Sequence, residues 1–278
     1  MAAEVQQARW KKVLWYVVLI ALAFVVLFPV YMTIVRAIST PVDYFNAGQP
    51  PWPVSIQANP WSTAFEKGNL GPKLGVSVAM TLIIVVFQVA TSILAAYAFA
   101  FLRFPLKRVL FALFIATLML PIEVTLIPNL QTIRSLSWLN SIQGLTVPFL
   151  ASAFGVFLIR QGFLGIPRDL RDAAQLDGFG HLAFIRRVAV PVTRPVIAAF
   201  TVLSFITAWN QYTWPRAAVT DERWQTLQVG LKSLTGATIE QSNIGVAGAL
   251  IAALPLVLIL LIFQRHVVRG LTAGAVKG

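Results

Sequence analysis

The sequence predicts an all-α, polytopic inner-membrane protein with six transmembrane helices, and three observations predict it. Hydrophobic residues make up 58% of the 278 and charged residues 12%, with a mean hydropathy of +0.76; a soluble domain carries about 25% charged residues. Five windows hold no charge, 13–35, 74–102, 135–159, 195–215 and 241–264, and a sixth, 109–131, holds the single carboxylate Glu123. Each meets the roughly 20 apolar residues needed to cross a hydrocarbon core. Finally, 15 of the 22 Lys and Arg residues fall at the two ends and in alternate connections between windows. That is the positive-inside bias, and it puts both termini in the cytoplasm of a multi-pass inner-membrane chain. The net charge of +12 is therefore a topology signal, and no nucleic-acid partner is expected. One transmembrane domain, 1–278, is expected, because six helices leave too little chain for a soluble domain beside them.

The first helix is predicted near 14–35, behind Arg9, Lys11 and Lys12. Its apolar stretch is too long for a cleavable leader and lacks a small-residue cleavage site, so it reads as a signal-anchor. The connection 37–73 is punctuated by Pro41, Pro50, Pro51, Pro53, Pro60 and Pro72, which forbid one continuous helix. Tyr44, Phe45, Trp52, Trp61 and Phe65 suit a loop lying on the outer headgroups, or a docking surface for an external partner. The second helix is predicted near 76–101, with Gln88, Thr91 and Ser92 as helix–helix contacts.

The third and fourth helices, near 109–130 and 143–163, carry Pro121, Pro128 and Pro148 inside the apolar stretch, and the sixth, near 244–264, carries Pro255. Broken helices suit a transporter, because freed carbonyls are tolerated in a membrane only beside protein or cavity water. An intramembrane carboxylate usually faces a cavity or a partner, so Glu123 either lines a substrate path or pairs with Arg134. The fifth helix, near 196–216, contains Trp209-Asn210-Gln211-Tyr212-Thr213-Trp214-Pro215. Amides beside flat rings can hydrogen-bond hydroxyls and stack on C–H faces, which is what a polyol needs. The alternative is an aromatic belt with amide bonds between helices.

Between the fourth and fifth helices lies a polar cytoplasmic loop, 167–191. Pro167 suits a first helical turn, and Asp172 is spaced to pair back with Arg168 at i,i+4. Gly178 and Gly180 are expected to end the helix, a second short helix to start at His181, and Pro191 and Pro195 to turn the chain into the fifth span. There are no cysteines, and His181 and His266 stand far apart, so no metal site is expected.

Asp172-Ala-Ala-x-x-Asp177-Gly178, with Pro191 thirteen residues after Gly178, resembles the EAA loop of ATP-binding-cassette importer permeases. The resemblance extends over nearly the whole chain. Arg103-Phe104-Pro105, Trp209-Asn210-Gln211-Tyr212 and the tail from Gly270 to Gly278 are similar to the carbohydrate-uptake branch. Thr117-Leu-Met-Leu-Pro-Ile-Glu123-Val and Gly144-Leu-Thr-Val-Pro148 resemble its glycerol-3-phosphate permease subunits.

The resemblance implies a type I importer permease fold and a binding-protein-dependent importer of a sugar or glycerol-3-phosphate-type polyol, working by alternating access. The implied partners are a second homologous permease subunit, two ATP-binding-cassette ATPase subunits, an extracytoplasmic substrate-binding protein and membrane lipid. This chain would be non-catalytic and hold no cofactor, with ATP and Mg bound by the ATPase. Asp172, Ala173, Ala174, Asp177 and Gly178 would dock the ATPase, and Glu123, Asn210 and Gln211 are the expected contacts along the substrate path. Asp172 stands where glutamate is typical, and Phe179 where alanine is, a bulk that implies a matched ATPase surface. The alternative is an ion-gradient-driven secondary transporter using Glu123. It predicts inverted repeats, which the sequence does not display, and the absence of a Gly-x-x-x-x-Gly-Lys-Ser/Thr segment argues against a fused exporter.

Overall fold

The computed structural model describes residues 2–57, 59–234 and 242–272. The end of the tail that carries part of the family resemblance, 273–278, lies outside the described residues. Every regular element described is helical, apart from an isolated bridge between Ser39 and Ile56. In chain order the helices are α1 (Ala2–Ile38), α2 (Pro41–Asn46), α3 (Pro60–Lys67), α4 (Leu70–Phe101), α5 (Lys107–Ala116), α6 (Ile122–Ser135), α7 (Ile142–Thr146) and α8 (Ala153–Leu164). After these come α9 (Arg168–Leu176), α10 (His181–Phe184), α11 (Val190–Val192), α12 (Arg194–Trp209), α13 (Thr213–Ala218), α14 (Leu227–Leu234) and α15 (Ser242–Thr272).

Among the described residues, three uninterrupted helices are long and apolar enough to cross a membrane: Trp10–Ile38, Leu70–Phe101 and Ser242–Arg265. Three further stretches are bent pairs, giving six spans if each pair crosses once. Lys107–Met119 and Glu123–Ser135 meet at 102°, Ile142–Phe149 and Ala153–Leu164 at 45°, and His181–Val192 and Arg194–Trp209 at 84°. The prolines act unequally. Pro121 stands at the first break, Pro148 in the 3-10 turn (Val147–Phe149) before the second, while Pro128 and Pro255 sit inside continuous helices. The fifth span also departs from expectation. It stops at Trp209, and residues 210–212 are non-helical before α13 resumes.

The chain divides into two compact units. In the first (Met1–Leu70, Leu231–Ala253), Ala37, Ala64, Ile244 and Ala247 form a small-residue core, and the Asn243 side chain donates to the Ser39 carbonyl at 3.3 Å. The apolar window of α1 is buried nowhere along its length, which leaves it to lipid or to another chain.

In the second unit (Gly71–Gly230, Leu254–Gly278) two cores stand out among the described residues. One joins Met80 and Ile84 of α4 to Ile133, Leu145, Trp214 and Val219. The other joins Ala96 and Tyr97 of α4 to Ile159 and Phe163 of α8, Phe200 of α12, and Ala174 and Phe184 of the 167–191 loop. Serines cap both halves of the second bent pair: Ser141 Oγ accepts from Gly144 N and Ser152 Oγ from Gly155 N, each at 3.1 Å. Cations meet the carbonyls at the end of α4, with Arg160 donating to Phe99 O at 3.1 Å and Lys107 to Ala100 O at 3.4 Å and to Leu102 O, one residue past the helix, at 2.8 Å.

Candidate coupling loop and pore segments

The 167–191 loop is a helical corner packed against the core on one side. Pro167 stands at the N-cap of α9, whose end is closed by a left-handed Gly178 at φ +73°. Gly178 N donates to Gln175 O at 3.0 Å and Phe179 N to Ala174 O at 2.9 Å. This paired bonding is the Schellman motif, and it needs the positive φ that glycine adopts at no steric cost. Gly180 has φ −70° and serves as the N-cap of α10, so Gly178 alone makes the turn. A five-residue π-helical stretch, Ile185–Ala189, joins α10 to α11. Among the described residues no ion pair joins Arg168 to Asp172, in contrast to the spacing-based expectation.

The corner presents two faces. Asp172, Ala173, Asp177 and Gly178 are exposed, together with Leu176 at 90% and Leu182 at 72% exposure. Ala174 turns the other way and is buried against the core that holds Tyr97, Phe163 and Phe184. Its methyl group lets α9 lie close to that core, so it supports the exposed face from behind. Phe179 also turns inward. Half-buried, it packs on the same core and takes the Arg187 guanidinium over its ring at 5.2 Å. The bulk that implied a matched ATPase surface is thus absorbed within the loop. Leu176 and Leu182 escaped the sequence reading, because in a helical pattern an apolar residue reads as core until its face is known.

The expected pore residues lie at breaks. Glu123 is exposed in the first turn of α6, just after the 102° bend, where a carboxylate suits the helix dipole. Arg134 is in the last turn of the same helix, so eleven residues at 1.5 Å rise put the two about 16 Å apart. They cannot pair. Asn210 caps α12, donating to Ile206 O at 2.9 Å and accepting from Gln228 at 3.4 Å. Gln211 is half-buried, and its buried Oε1 has no hydrogen-bond partner among the described residues. Among the described residues no hydrogen bond joins Glu123 to either amide.

The rings beside those amides are not all available for stacking. Trp209 and Trp214 are each 2% exposed; Trp209 stacks on Phe205 at 5.7 Å, and Trp214 donates to Gly144 O at 3.1 Å. Tyr212 alone of the three is exposed. Non-helical backbone within a membrane span is tolerated where protein buries it or where it lines a water-filled cavity. At the 210–212 break Trp209 and Trp214 bury the flanks, while Asn210 and Tyr212 stay exposed.

Broken apolar spans joined by a polar helical corner suit a membrane transport component, and comparison with known proteins agrees. Residues 88–273 match the family described as the binding-protein-dependent transport system inner membrane component. The sn-glycerol-3-phosphate transport system permease protein UgpE of Yersinia pestis is 34% identical over 96% of this chain and 98% of its own length. The same-named protein of Pectobacterium atrosepticum is 35% identical over the same shares, and that of Rhizobium meliloti 34% over 92% and 94%. A crystal structure of a bacterial ABC transporter involved in the import of the acidic polysaccharide alginate matches with a TM-score of 0.79 over 92% of this chain and 96% of that one. At 23% identity that likeness speaks for the fold alone. The chain belongs to the family of inner-membrane permease components of binding-protein-dependent ABC importers. Such a component works with an ATP-binding-cassette ATPase and a substrate-binding protein, which displaces the gradient-driven reading of Glu123.

Proposed function

We propose that this chain forms half of the pore of an importer for sn-glycerol-3-phosphate or a closely related polyol, with a second permease as the other half. Two ATPase subunits sit beneath the pair and bind ATP with Mg, whose hydrolysis drives the cycle; this chain performs no bond chemistry. Both termini and the 167–191 loop face the cytoplasm, and an extracytoplasmic binding protein delivers the substrate. The substrate assignment is supported by the names of the relatives that align along nearly the whole chain.

One observation carries the docking role. Leu176 and Leu182 are 90% and 72% exposed on a corner whose other side is fixed in a core. Apolar side chains held rigidly in water are the anchors an interface uses, because they are ordered before binding. An ATPase cleft that covers them beside Asp172, Ala173, Asp177 and Gly178 holds the loop, and closing of the ATPase pair then moves it. That motion alternates access to a cavity lined by Glu123, Asn210 and Gln211. The buried Gln211 Oε1 accepts from a substrate hydroxyl in this reading.

The test is a mild-detergent pull-down through this chain from native membranes, followed by ATP hydrolysis with its binding protein and a panel of sugars and glycerol phosphates. Co-purification of an ATPase that accelerates with sn-glycerol-3-phosphate is expected. A chain recovered without ATPase would overturn the reading, and acceleration by a sugar alone would overturn the substrate.

A further inference from the structure

The 167–191 loop is tied to α4 by side chains that the docking role leaves unused. Tyr97, near the end of α4 and 7% exposed, has its hydroxyl 2.6 Å from Nδ1 of His181, the first residue of α10. The two rings meet edge-on at 5.8 Å. Four residues on, Phe101 takes the Arg171 guanidinium of α9 at 5.3 Å and the Phe184 ring of α10 edge-on at 5.5 Å. One turn of α4 therefore grips both short helices of the loop.

Within that grip the Tyr97–His181 bond is the part that registers small movements. Among the described residues it is the one hydrogen bond between α4 and the loop. A hydrogen bond weakens steeply with distance and angle, whereas apolar packing is non-directional. A pocket of about 180 Å³ opens beside it, lined in part by Arg171, Gln175 and His181. The imidazole can swing there without disturbing the buried core.

The far end of the same helix segment grips the centre of the unit. Gln88 lies nine residues before Tyr97, about 13 Å along α4. Its Nε2 donates to the Phe149 carbonyl at 2.7 Å, where the second bent pair turns, and its Oε1 accepts from Ser204 of α12 at 2.7 Å. A continuous helix joins the two contacts, so a displacement at Tyr97 arrives at Gln88 as a displacement of the break.

We propose that Tyr97 and His181 are positioning residues: their hydrogen bond passes movement of the docked loop into α4 and through it to the break at Phe149. Tyr97 lies buried behind the docking face, and His181 joins it to that face. The proposal rests on the docking role of the 167–191 loop.

The test uses the whole importer in liposomes, reading ATP hydrolysis with and without its binding protein loaded with sn-glycerol-3-phosphate. Tyr97→Phe removes one hydroxyl. ATPase co-purification and basal hydrolysis are expected to stay at wild-type levels, while stimulation falls about five-fold, the equilibrium change expected for one hydrogen bond. His181→Ala gives the same loss, the double variant no more, and His181→Asn, which keeps a polar atom near the Nδ1 position, restores at least half.

A readout free of substrate uses the absence of cysteines: spin labels on Arg186→Cys in the loop and Val86→Cys in α4. Their separation is expected to hold when ATP and vanadate are added to wild type, and to change in Tyr97→Phe. Full stimulation in Tyr97→Phe, additive losses, or a separation that responds alike in both backgrounds overturns the proposal. Gly178→Val run alongside separates the two ideas. If it fails to bind ATPase while Tyr97→Phe behaves as wild type, the latch alone is wrong; if it binds ATPase normally, the docking role is wrong.

Discussion

Gln88 and Ser204, 116 residues apart in sequence, share a 2.7 Å hydrogen bond between α4 and α12, while the Gln88 amide also donates to Phe149 O. One side chain thereby satisfies a hydroxyl and a carbonyl freed at a helix break, in a setting where water is scarce. Gln88→Leu strands both. Hydrogen bonds between membrane helices average about 0.6 kcal/mol and reach about 1.7, so a loss of about 1–2 kcal/mol is expected. Ser204→Ala should cost less than half of that, because the amide keeps its bond to Phe149. Thermal unfolding in detergent, with the single variants side by side, checks the order.

At Gly178 the demand is conformational rather than steric. Its φ is +73°, yet a Cβ there would meet nothing within 4 Å. Gly178→Val should therefore destabilise the corner by about 1–2 kcal/mol and abolish ATPase capture. Gly178→Asn, which visits the left-handed region readily, should retain most of it. A Val variant that captures ATPase as well as Asn does would show that the turn is not required.

Much of this was legible in the sequence, and the limits have physical causes. Charge-free windows locate apolar spans because bilayer thickness sets a length, and Gly178 was readable because one residue type suits a left-handed cap. What failed depended on tertiary neighbours. Pro121 and Pro128 look alike in sequence, but only Pro121 sits at a break. Trp209 and Trp214 looked available to a ligand and are buried. The Tyr97–His181 contact spans 84 residues and leaves no local pattern.

Leu176 and Leu182 offer a test of the docking face that leaves the fold alone. Both side chains are largely in solvent, so Leu176→Asp or Leu182→Asp should shift unfolding by less than about 0.5 kcal/mol. Burying a leucine in a partner's cleft contributes about 2 kcal/mol, so each change should weaken ATPase binding roughly 30-fold. Equal ATPase affinity in titrations of wild type and variants would remove these residues from the interface.

Gly155 and Gly162, two turns apart on α8, should behave oppositely. A Cβ on Gly155 would stand 2.3 Å from Phe200 Cζ and 2.4 Å from Ser92 Oγ, while one on Gly162 meets nothing nearer than 3.4 Å. Gly155→Ala overpacks the meeting of α8 with α4 and α12 and should cost about 1–3 kcal/mol. Gly162→Ala should be neutral or slightly stabilising, since alanine favours the helix by about 1 kcal/mol. Similar melting temperatures for the two variants would contradict the packing.

Gln211 gives the sharpest separation of pore role from structural role. Its Oε1 is buried without a partner among the described residues, and an unsatisfied buried acceptor costs about 1–3 kcal/mol. Removing it by Gln211→Leu should leave stability unchanged or raised, with assembly intact. Uptake of sn-glycerol-3-phosphate by liposomes carrying the whole importer should nonetheless fall about ten-fold, the effect of losing a bond of about 1.4 kcal/mol made to the moving substrate. Glu123→Gln, exposed and without an ion pair to Arg134, should likewise change uptake with no change in melting temperature. If Gln211→Leu instead lowers the melting temperature and uptake together, the amide is a structural bond between helices, and the path must be drawn elsewhere.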